Sequence, residues 1–458
     1  MQNNIYKYCF IILLMFIFST KASAQFDMMM YGYRFVPQSN YNNPAFIPKT
    51  KIAVGIPVLS SISTSTYSSS FSLDDILKDN TSNDSLKLDL SYLISKGKET
   101  NLLAEYIDND ILYVGFKLKS NFLSFGIRNR LYSRFVYSED LVKLIWNGNA
   151  SYLDQELNLS STEVNHDHFL DYYVNFGLVL NDKLSLGIRA NLLQGLSSVQ
   201  TQRNELTLLT NSQGENGYSF DANTSFLINT SGLNSDSTNS GGVSDYIFNF
   251  SNLGFSFDLG ADFKISERLN INFSILDLGK IKWKSNLKSF ESKSDNVHFS
   301  GVTVDINSNG DVFETYLDSL TNLIDINEFE KEYSTSLPTR FYAGLEYYSL
   351  DRRNRLSFVF SGIFLKNMFS PAFSVGFDRD VSKHFAFKVN YSYLAYAPLN
   401  LGAGFSFNFK PFQFYFLTDN IFSTFLWDKQ RYLNVRFGIN ILIPEQNSIP
   451  KGEPVFSK

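Results

Sequence analysis

Cysteine is all but missing from this chain. Of 458 residues only Cys9 is one, and it lies within the apolar N-terminal segment. A chain without a second cysteine cannot be a disulfide scaffold, and Cys9 lies too early to carry a lipid after processing. Histidine is scarce as well: His166, His168, His298 and His384 are the whole supply, and no Gly-x-Ser-x-Gly nucleophile elbow follows the N-terminal run. A barrel-type serine hydrolase would need a His beside a Ser at the outer rim, so the residues favour a protein that is not an enzyme. Positive charge is not in excess either, with 40 Lys and Arg against 45 Asp and Glu. With no run of basic residues, this argues against a nucleic-acid partner. After residue 24 no apolar run approaches the ~18–20 residues of a membrane helix.

The N-terminus carries an export pattern. Lys7 precedes the apolar run Phe10 to Phe18, then Ser19, Thr20, Lys21 and Ala22-Ser23-Ala24. This is a charged region, a hydrophobic region too short to span, and a small-x-small cleavage site, so residues 1–24 read as a signal peptide and Gln25 as the mature start. Cleavage would remove Lys7 and Lys21 and no acid, leaving 38 basic residues against 45 acids, a mature charge of −7.

Aromatic residues are abundant, with 44 Phe and 26 Tyr, although mean hydropathy is only −0.13. They are interleaved with polar residues. In Leu253 to Ile265 one face carries Leu253, Phe255, Phe257, Leu259, Ala261, Phe263 and Ile265, and the other Gly254, Ser256, Asp258, Gly260, Asp262 and Lys264. A strand sends successive side chains to opposite faces, and thirteen residues exceed the usual ~5–6 of a soluble strand. Tilted near 45°, such a strand crosses a hydrocarbon layer of roughly 25–30 Å. The pattern recurs at 399–410 and 433–443, with shorter versions at 111–118, 121–130, 170–180, 184–193, 269–276, 340–348, 355–365, 372–378, 384–393 and 412–418. Weaker candidates lie at 51–60, 196–210, 216–228, 281–290 and 296–306. The polar faces suit a water-lined lumen; a soluble β-sandwich would have shorter strands with fewer aromatics.

Short turns (Lys119 to Asn121, Asn181 to Lys183, Ser266-Glu267, Asp351 to Asn354, Asp380 to Lys383, Lys410-Pro411) alternate with long polar segments at 61–105, 131–167, 229–250, 307–337 and 419–430. Strict alternation of short periplasmic turns and long outer loops marks an outer-membrane barrel. The expected fold is therefore an all-β, transmembrane antiparallel β-barrel spanning 51–443. It has eighteen strands if every candidate is used, and fourteen if 196–228 and 281–306 are hairpins rising above the membrane; the permissible range is an even 12–18. Glu139 to Trp146 and Tyr316 to Tyr333 have helical spacing, and 444–458, with Pro444, Pro450 and Pro454, reads as a periplasmic tail.

Asn42-Asn43-Pro44-Ala45-Phe46 ahead of the first strand, Asp258-Leu259-Gly260-Ala261, Ile275 to Gly279 with Ile281-Lys282-Trp283, and Leu399 to Gly404 resemble the outer-membrane barrels of Bacteroidota. The chain looks most like a family there known only as conserved proteins of unknown function, and nearly the whole mature chain is covered. More distantly it resembles long-chain fatty-acid transporters and barrels of the Bacteroidota secretion and gliding apparatus. The transporters begin with a similar Asn-Pro-Ala segment that forms an N-terminal plug. That resemblance implies that 25–50, with Asn42, Asn43, Pro44, Ala45 and Phe46, belongs to a lumen plug. The chain departs from many barrels in continuing past its last strand instead of ending on an aromatic residue.

Other chemistry is thinner. His166 and His168 could present two imidazoles to a metal, with a solvated loop-to-strand entry as the alternative. Asp305, Asn307 and Asn309 match the start of a calcium loop, but Tyr316 stands where a bidentate Glu belongs, and Asn309-Gly310 also suits a hairpin turn. No other cofactor is indicated. Arg128, Arg189, Asp258, Asp262, Lys264, Glu346, Lys388 and Arg436 are expected to face the lumen, as mixed pairs that stiffen it or as a constriction. The expected role is a plugged outer-membrane channel for small or hydrophobic solutes. The alternative is an adaptor barrel for a secretion or surface-attachment machine. Outer-membrane lipid, a hydrophobic solute or such a machine would be its partners.

Overall fold

The computed structural model describes residues 27–80, 85–214, 217–233, 250–292, 296–299, 326–365, 368–394 and 397–444. Residues 1–24, read above as a signal peptide, nearly all of the segment 444–458, and Asp305, Asn307 and Asn309 lie outside them.

Fourteen strands pair antiparallel in a closed ring. They are β1 in two pieces, Thr50–Gly55 and Ile62–Ser68; β2 Thr100–Leu118; β3 Asn121–Ser138; β4 Glu163–Val179; β5 Leu184–Gly214; β6 Leu253–Lys264; and β7 Leu269–Trp283. The ring continues with β8 Thr339–Tyr348; β9 Asn354–Leu365; β10 Met368–Ser382; β11 Phe385–Leu394; β12 Ala397–Phe409; β13 Phe412–Thr418; and β14 Tyr432–Pro444. Each pairs with its neighbour in sequence, and β14 returns to β1 with Val54 opposite Ile441 and Thr64 opposite Val435. Closure gives every strand of the ring a strand partner on both sides for at least part of its length.

The ring is inside-out relative to a soluble protein. On β6, Phe255, Phe257, Leu259 and Phe263 are exposed while Ser256 and Asp258 are fully buried. The same division runs round the wall, with Ile271, Phe273, Leu345, Phe358, Val375, Val389 and Leu401 outside and Asn272, Ser274, Glu346, Ser357, Ser374, Asn390 and Asn400 inside. An apolar belt of this extent suits hydrocarbon as its outer solvent.

Two bulges decide which side chains turn inward. Opposite Asp258, β7 carries both Leu276 and Asp277, because Phe257 pairs with Leu278 but Leu259 with Ile275. Asp277 takes the left-handed conformation, φ 61°. An extra residue shifts the alternation by one, so below it Asn272 and Ser274 face inward, and above it Ile281 and Trp283 do. A second bulge in β2 lies between Asp110 and Leu112, beside the break in β1 at 56–61. There Val58 has φ 67° and Val58 and Leu59 point outward, while the Ser60 hydroxyl donates to Asp110 inside at 2.7 Å.

The wall rises far above the belt on the long-loop side. β5 is 31 residues long. Its first half pairs with β6 and its second with Gly217–Ser231, which pairs in turn with Leu287–Ser292 and Asn296–Phe299. The weak segments 196–228 thus form the expected raised hairpin. Segments 281–306 do not: as far as they are described, they continue β7 in one line along Gly217–Ser231. Ile326–Phe329 and Tyr333–Ser336 are extended, pairing with Leu287–Ser292 and the end of β7, although the spacing of Tyr316 to Tyr333 predicts a helix. Glu139–Asn147 is a helix, capped by the Ser138 hydroxyl accepting from Leu141 N–H. β13 is the shortest of the later strands. Beyond Thr418 the gap between β12 and β14 is filled by the 3-10 turn Ile421–Thr424, held by Thr418 donating to Asn434 O at 2.6 Å and Asn420 to Tyr432 O at 3.1 Å.

Candidate functional site

Residues 27–49 lie inside the ring, and at this level the polar faces pack against them. Asn42 to Phe46 rest on a row of small residues. Gly177 of β4 pairs with Gly187 of β5, Gly187 with Gly260 of β6, and Gly260 with Ser274 of β7. Without side chains, the three glycines let Asn43, Pro44 and Ala45 approach the wall backbone directly. The Asn43 amide donates to Ala261 O at 3.3 Å and Phe273 O at 3.1 Å, and its carbonyl accepts from Ala45 N–H at 2.9 Å. The Ser274 hydroxyl donates to Asn42 O at 2.6 Å. Phe46 packs against Tyr31, which stacks on Tyr342 at 4.6 Å.

Charges hold the rest of the segment. Arg34 makes two bonds to Asp262, at 2.7 and 2.9 Å, and one to Glu346 at 3.1 Å. Arg355 bridges Glu346 and Asp378 at 3.1 and 2.6 Å and donates to Gly32 O. Lys388 donates to the carbonyls of Met28, Met29 and Tyr31 at 3.3, 3.0 and 2.8 Å. Arg436 meets Asp27 at 3.0 Å, and Asp419 accepts from Met29 N–H at 2.6 Å. Arg189 pairs with Asp258 at 2.9 Å and donates to the carbonyls of Asn40 and Tyr41. Arg128 pairs with Asp171 and lies over the rings of Tyr41 and Tyr173. Seven of the eight residues expected in the lumen are therefore buried there in ion pairs or hydrogen bonds. Lys264 is the exception: it is exposed at the short-turn rim, where β6 ends.

Sequence reasoning missed Arg130, Asp277 and Arg340. Arg130 reaches Asp277 at 2.7 Å and Arg340 reaches it at 2.6 Å, joining β3, β7 and β8 across the lumen. The bulge points Asp277 inward, and strict alternation could not show that. Arg130, two residues from Arg128, could have been found by period two. Arg34 was missed because it lies ahead of any strand.

Above this charged layer the lumen changes character. Tyr106, Tyr132, Phe169, Ile281, Trp283, Ile363, Leu394 and Tyr432 face inward and are buried. Trp283 lies where a Cβ on Gly195 would stand, 2.5 Å away, and its indole N–H donates to Thr335 at 2.9 Å. His166 and His168 occupy the other face of β4, bonded to Ser197 at 3.3 Å and Asn129 at 2.7 Å. Among the described residues no group of three metal-ligating side chains forms.

At the short-turn end a cavity of about 390 Å³ opens beneath the segment. Arg34, Lys49, Lys117, Lys183, Lys264, Arg352, Arg353 and Arg355 line it, with Asp182, Asp262 and Asp378 the only acids among the lining residues. A basic cluster that no run of sequence displays is thus assembled from separate turns; it was legible only by summing charge over the inner turns. In the β8–β9 turn, the Ser349 hydroxyl and the Arg353 N–H donate to Asp351 and lower its pKa; Asp351 does not line the cavity.

The chain is a closed antiparallel barrel whose short-turn half is filled by its own N-terminal segment. Residues 44–419 match a family of unknown function, DUF5723, and the chain belongs to that family. No curated protein matches it. Solved structures similar to it include the Pseudomonas putida toluene transporter TodX (10% identity, 90% of this chain and 93% of that chain, TM-score 0.41). The Ralstonia pickettii toluene transporter TbuX matches at 10% identity, over 90% of this chain and 94% of that one, TM-score 0.42. A Pseudomonas aeruginosa FadL homologue matches at 12%, over 90% and 95%, TM-score 0.43.

Proposed function

We propose that this protein is a transport barrel of the outer membrane of a Bacteroidota-type cell, passing small hydrophobic solutes and closed by residues 27–49 as a plug. The short turns then face the periplasm and the raised sheet faces outward. The observation that carries this reading is the division of the lumen. Its outer half is lined by apolar and aromatic side chains, which bind apolar molecules through surface removed from water. Its inner half is closed by a separate segment and not by the wall's own residues. That segment is seated by hydrogen bonds and ion pairs whose partners sit on many strands, so it can loosen without opening the ring. An adaptor role is favoured by one feature, the sheet built on β5 and Gly217–Ser231, which presents a protein-like surface above the membrane.

Deletion of 25–48 tests the transport reading. Reconstituted in liposomes, the deleted protein should leak small solutes faster than the full mature chain. Equal leakage by both would overturn the plug and leave the adaptor.

A further inference from the structure

We propose that the short-turn cavity is a binding site for a small organic anion, an acid group attached to a compact apolar body. The inference extends the transport reading to the chemistry of the exit side, yet its binding test does not depend on transport.

Charge distribution is the first support. The roof is self-compensated: Arg34 and Arg355 are held by Asp262, Glu346 and Asp378, leaving it at −1. The rim has six cations, Lys49, Lys117, Lys183, Lys264, Arg352 and Arg353, against Asp182 and, beside Lys49 and Arg353, Asp380. A concavity with a net rim charge of +4, in a chain whose total is −5, concentrates anions through a focused field. The second support is an unmet donor. Arg34 lines the cavity, and its Nε–H is buried without a hydrogen-bond partner, while its terminal nitrogens donate to Asp262 and Glu346. A buried donor of this kind calls for an acceptor.

The third support is shape and lining. Phe35, Ile47, Pro48 and Val179 supply an apolar patch beside the cations. Known apolar cavities of about 150 Å³ hold benzene, so 390 Å³ accommodates an aromatic acid. A recess of this volume admits such a small anion, whereas an acidic protein surface would bear on the rim alone.

Benzoate is the probe and benzyl alcohol its uncharged counterpart, each titrated into the full mature chain in neutral detergent by ligand-observed NMR. Benzoate should bind about tenfold more tightly than benzyl alcohol and weaken severalfold as salt rises from low to near-physiological strength. The double variant K264Q/R353Q alters two exposed rim residues. It should lose about tenfold in benzoate affinity and leave benzyl alcohol unchanged, while R203Q on the raised sheet should alter neither. Equal affinity for the two probes, or unchanged benzoate affinity in K264Q/R353Q that still runs as a folded barrel in unheated electrophoresis, would overturn the proposal. Failure of the plug deletion to leak would leave this binding result standing, so the two readings fail separately.

Discussion

Adding one methyl group at the glycine row should unseat the Asn-Pro-Ala segment in a graded order. A Cβ at Gly187 would stand 2.1 Å from the Pro44 carbonyl carbon and 2.2 Å from Ala45 N, both backbone atoms. At Gly260 it would stand 2.1 Å from Asn43 Oδ1, a side-chain atom, and 2.9 Å from Pro44 Cδ. At Gly177 the nearest atoms are 3.3 Å away. Since carbon atoms pack best at about 3.5–4.0 Å, Gly187→Ala must push Asn43 to Ala45 roughly 1 Å or more off the wall. That displacement breaks the two bonds from Asn43 and the one from Ser274 to Asn42 O. At about 0.5–1.5 kcal/mol each they contribute about 1.5–4.5 kcal/mol, so the unseated population should rise roughly ten- to a thousandfold. Cys9 is the lone cysteine, so a chain begun at Gln25 and carrying Ala45→Cys has a single thiol, whose maleimide labelling reports exposure of the segment. Ala45 is buried, and labelling should be slow in the parent, fastest with Gly187→Ala, intermediate with Gly260→Ala and nearly unchanged with Gly177→Ala. Equal rates in all three, or the fastest rate at Gly177, would refute the seating argument.

Two further substitutions test the wall and the charged layer. Phe257→Arg places a charge midway along β6 on the apolar belt, and should weaken membrane folding by about 2–4 kcal/mol, read from urea titrations in vesicles; no change would mean that this face does not meet hydrocarbon. Asp277→Ala leaves Arg340 buried without its carboxylate, while Arg130 keeps Asp171 at 3.2 Å, and should destabilise the barrel by about 3 kcal/mol, followed by tryptophan fluorescence. A loss below about 1 kcal/mol would show that Arg340 finds another partner.

Much of this architecture was legible in the residues themselves. Period two in β6, β12 and β14 gave the wall, and the alternation of short and long connections gave the number of strands once 196–228 and 281–306 were both read as raised, although the second pair is one continued line and not a hairpin. What period two could not give was any place where the period changes. The extra residue at Asp277 turns Trp283 inward and Lys282 outward, and nothing local in Ile275 to Gly279 announces it. β1 was legible only as 51–60, because a six-residue break lies between its halves and Ser63 to Tyr67 lacks the large apolar side chains that mark the other strands. The lumen network was half legible. Arg128 and Arg189 alternate with apolar neighbours, but their partners lie on strands tens of residues away, and pairing across a lumen leaves no spacing in the chain.

The charge-rich layer and the glycine row answer the same physical difficulty from opposite directions. A wall whose outer face meets hydrocarbon must put its polar groups inward, where burying them without partners would be costly. Water could satisfy them, but in the described lumen the N-terminal segment does so, offering backbone carbonyls to Lys388, Arg189 and Arg355 and a guanidinium to Asp262 and Glu346. Ionic anchors of this kind tolerate small shifts, since a carboxylate can follow a guanidinium. The glycine row does not, because there backbone meets backbone with no side chain to yield. Rigidity of the segment therefore resides at Asn43 to Ala45, while its first third, from Asp27 to Arg34, is held by charge. Raising ionic strength should consequently speed the labelling of Lys49→Cys, at a half-buried position on the cavity rim, no more than modestly. The same change should leave the buried thiol of Ala45→Cys unlabelled when the glycine row is intact; salt-driven labelling there would show that charge, not close packing, holds the centre.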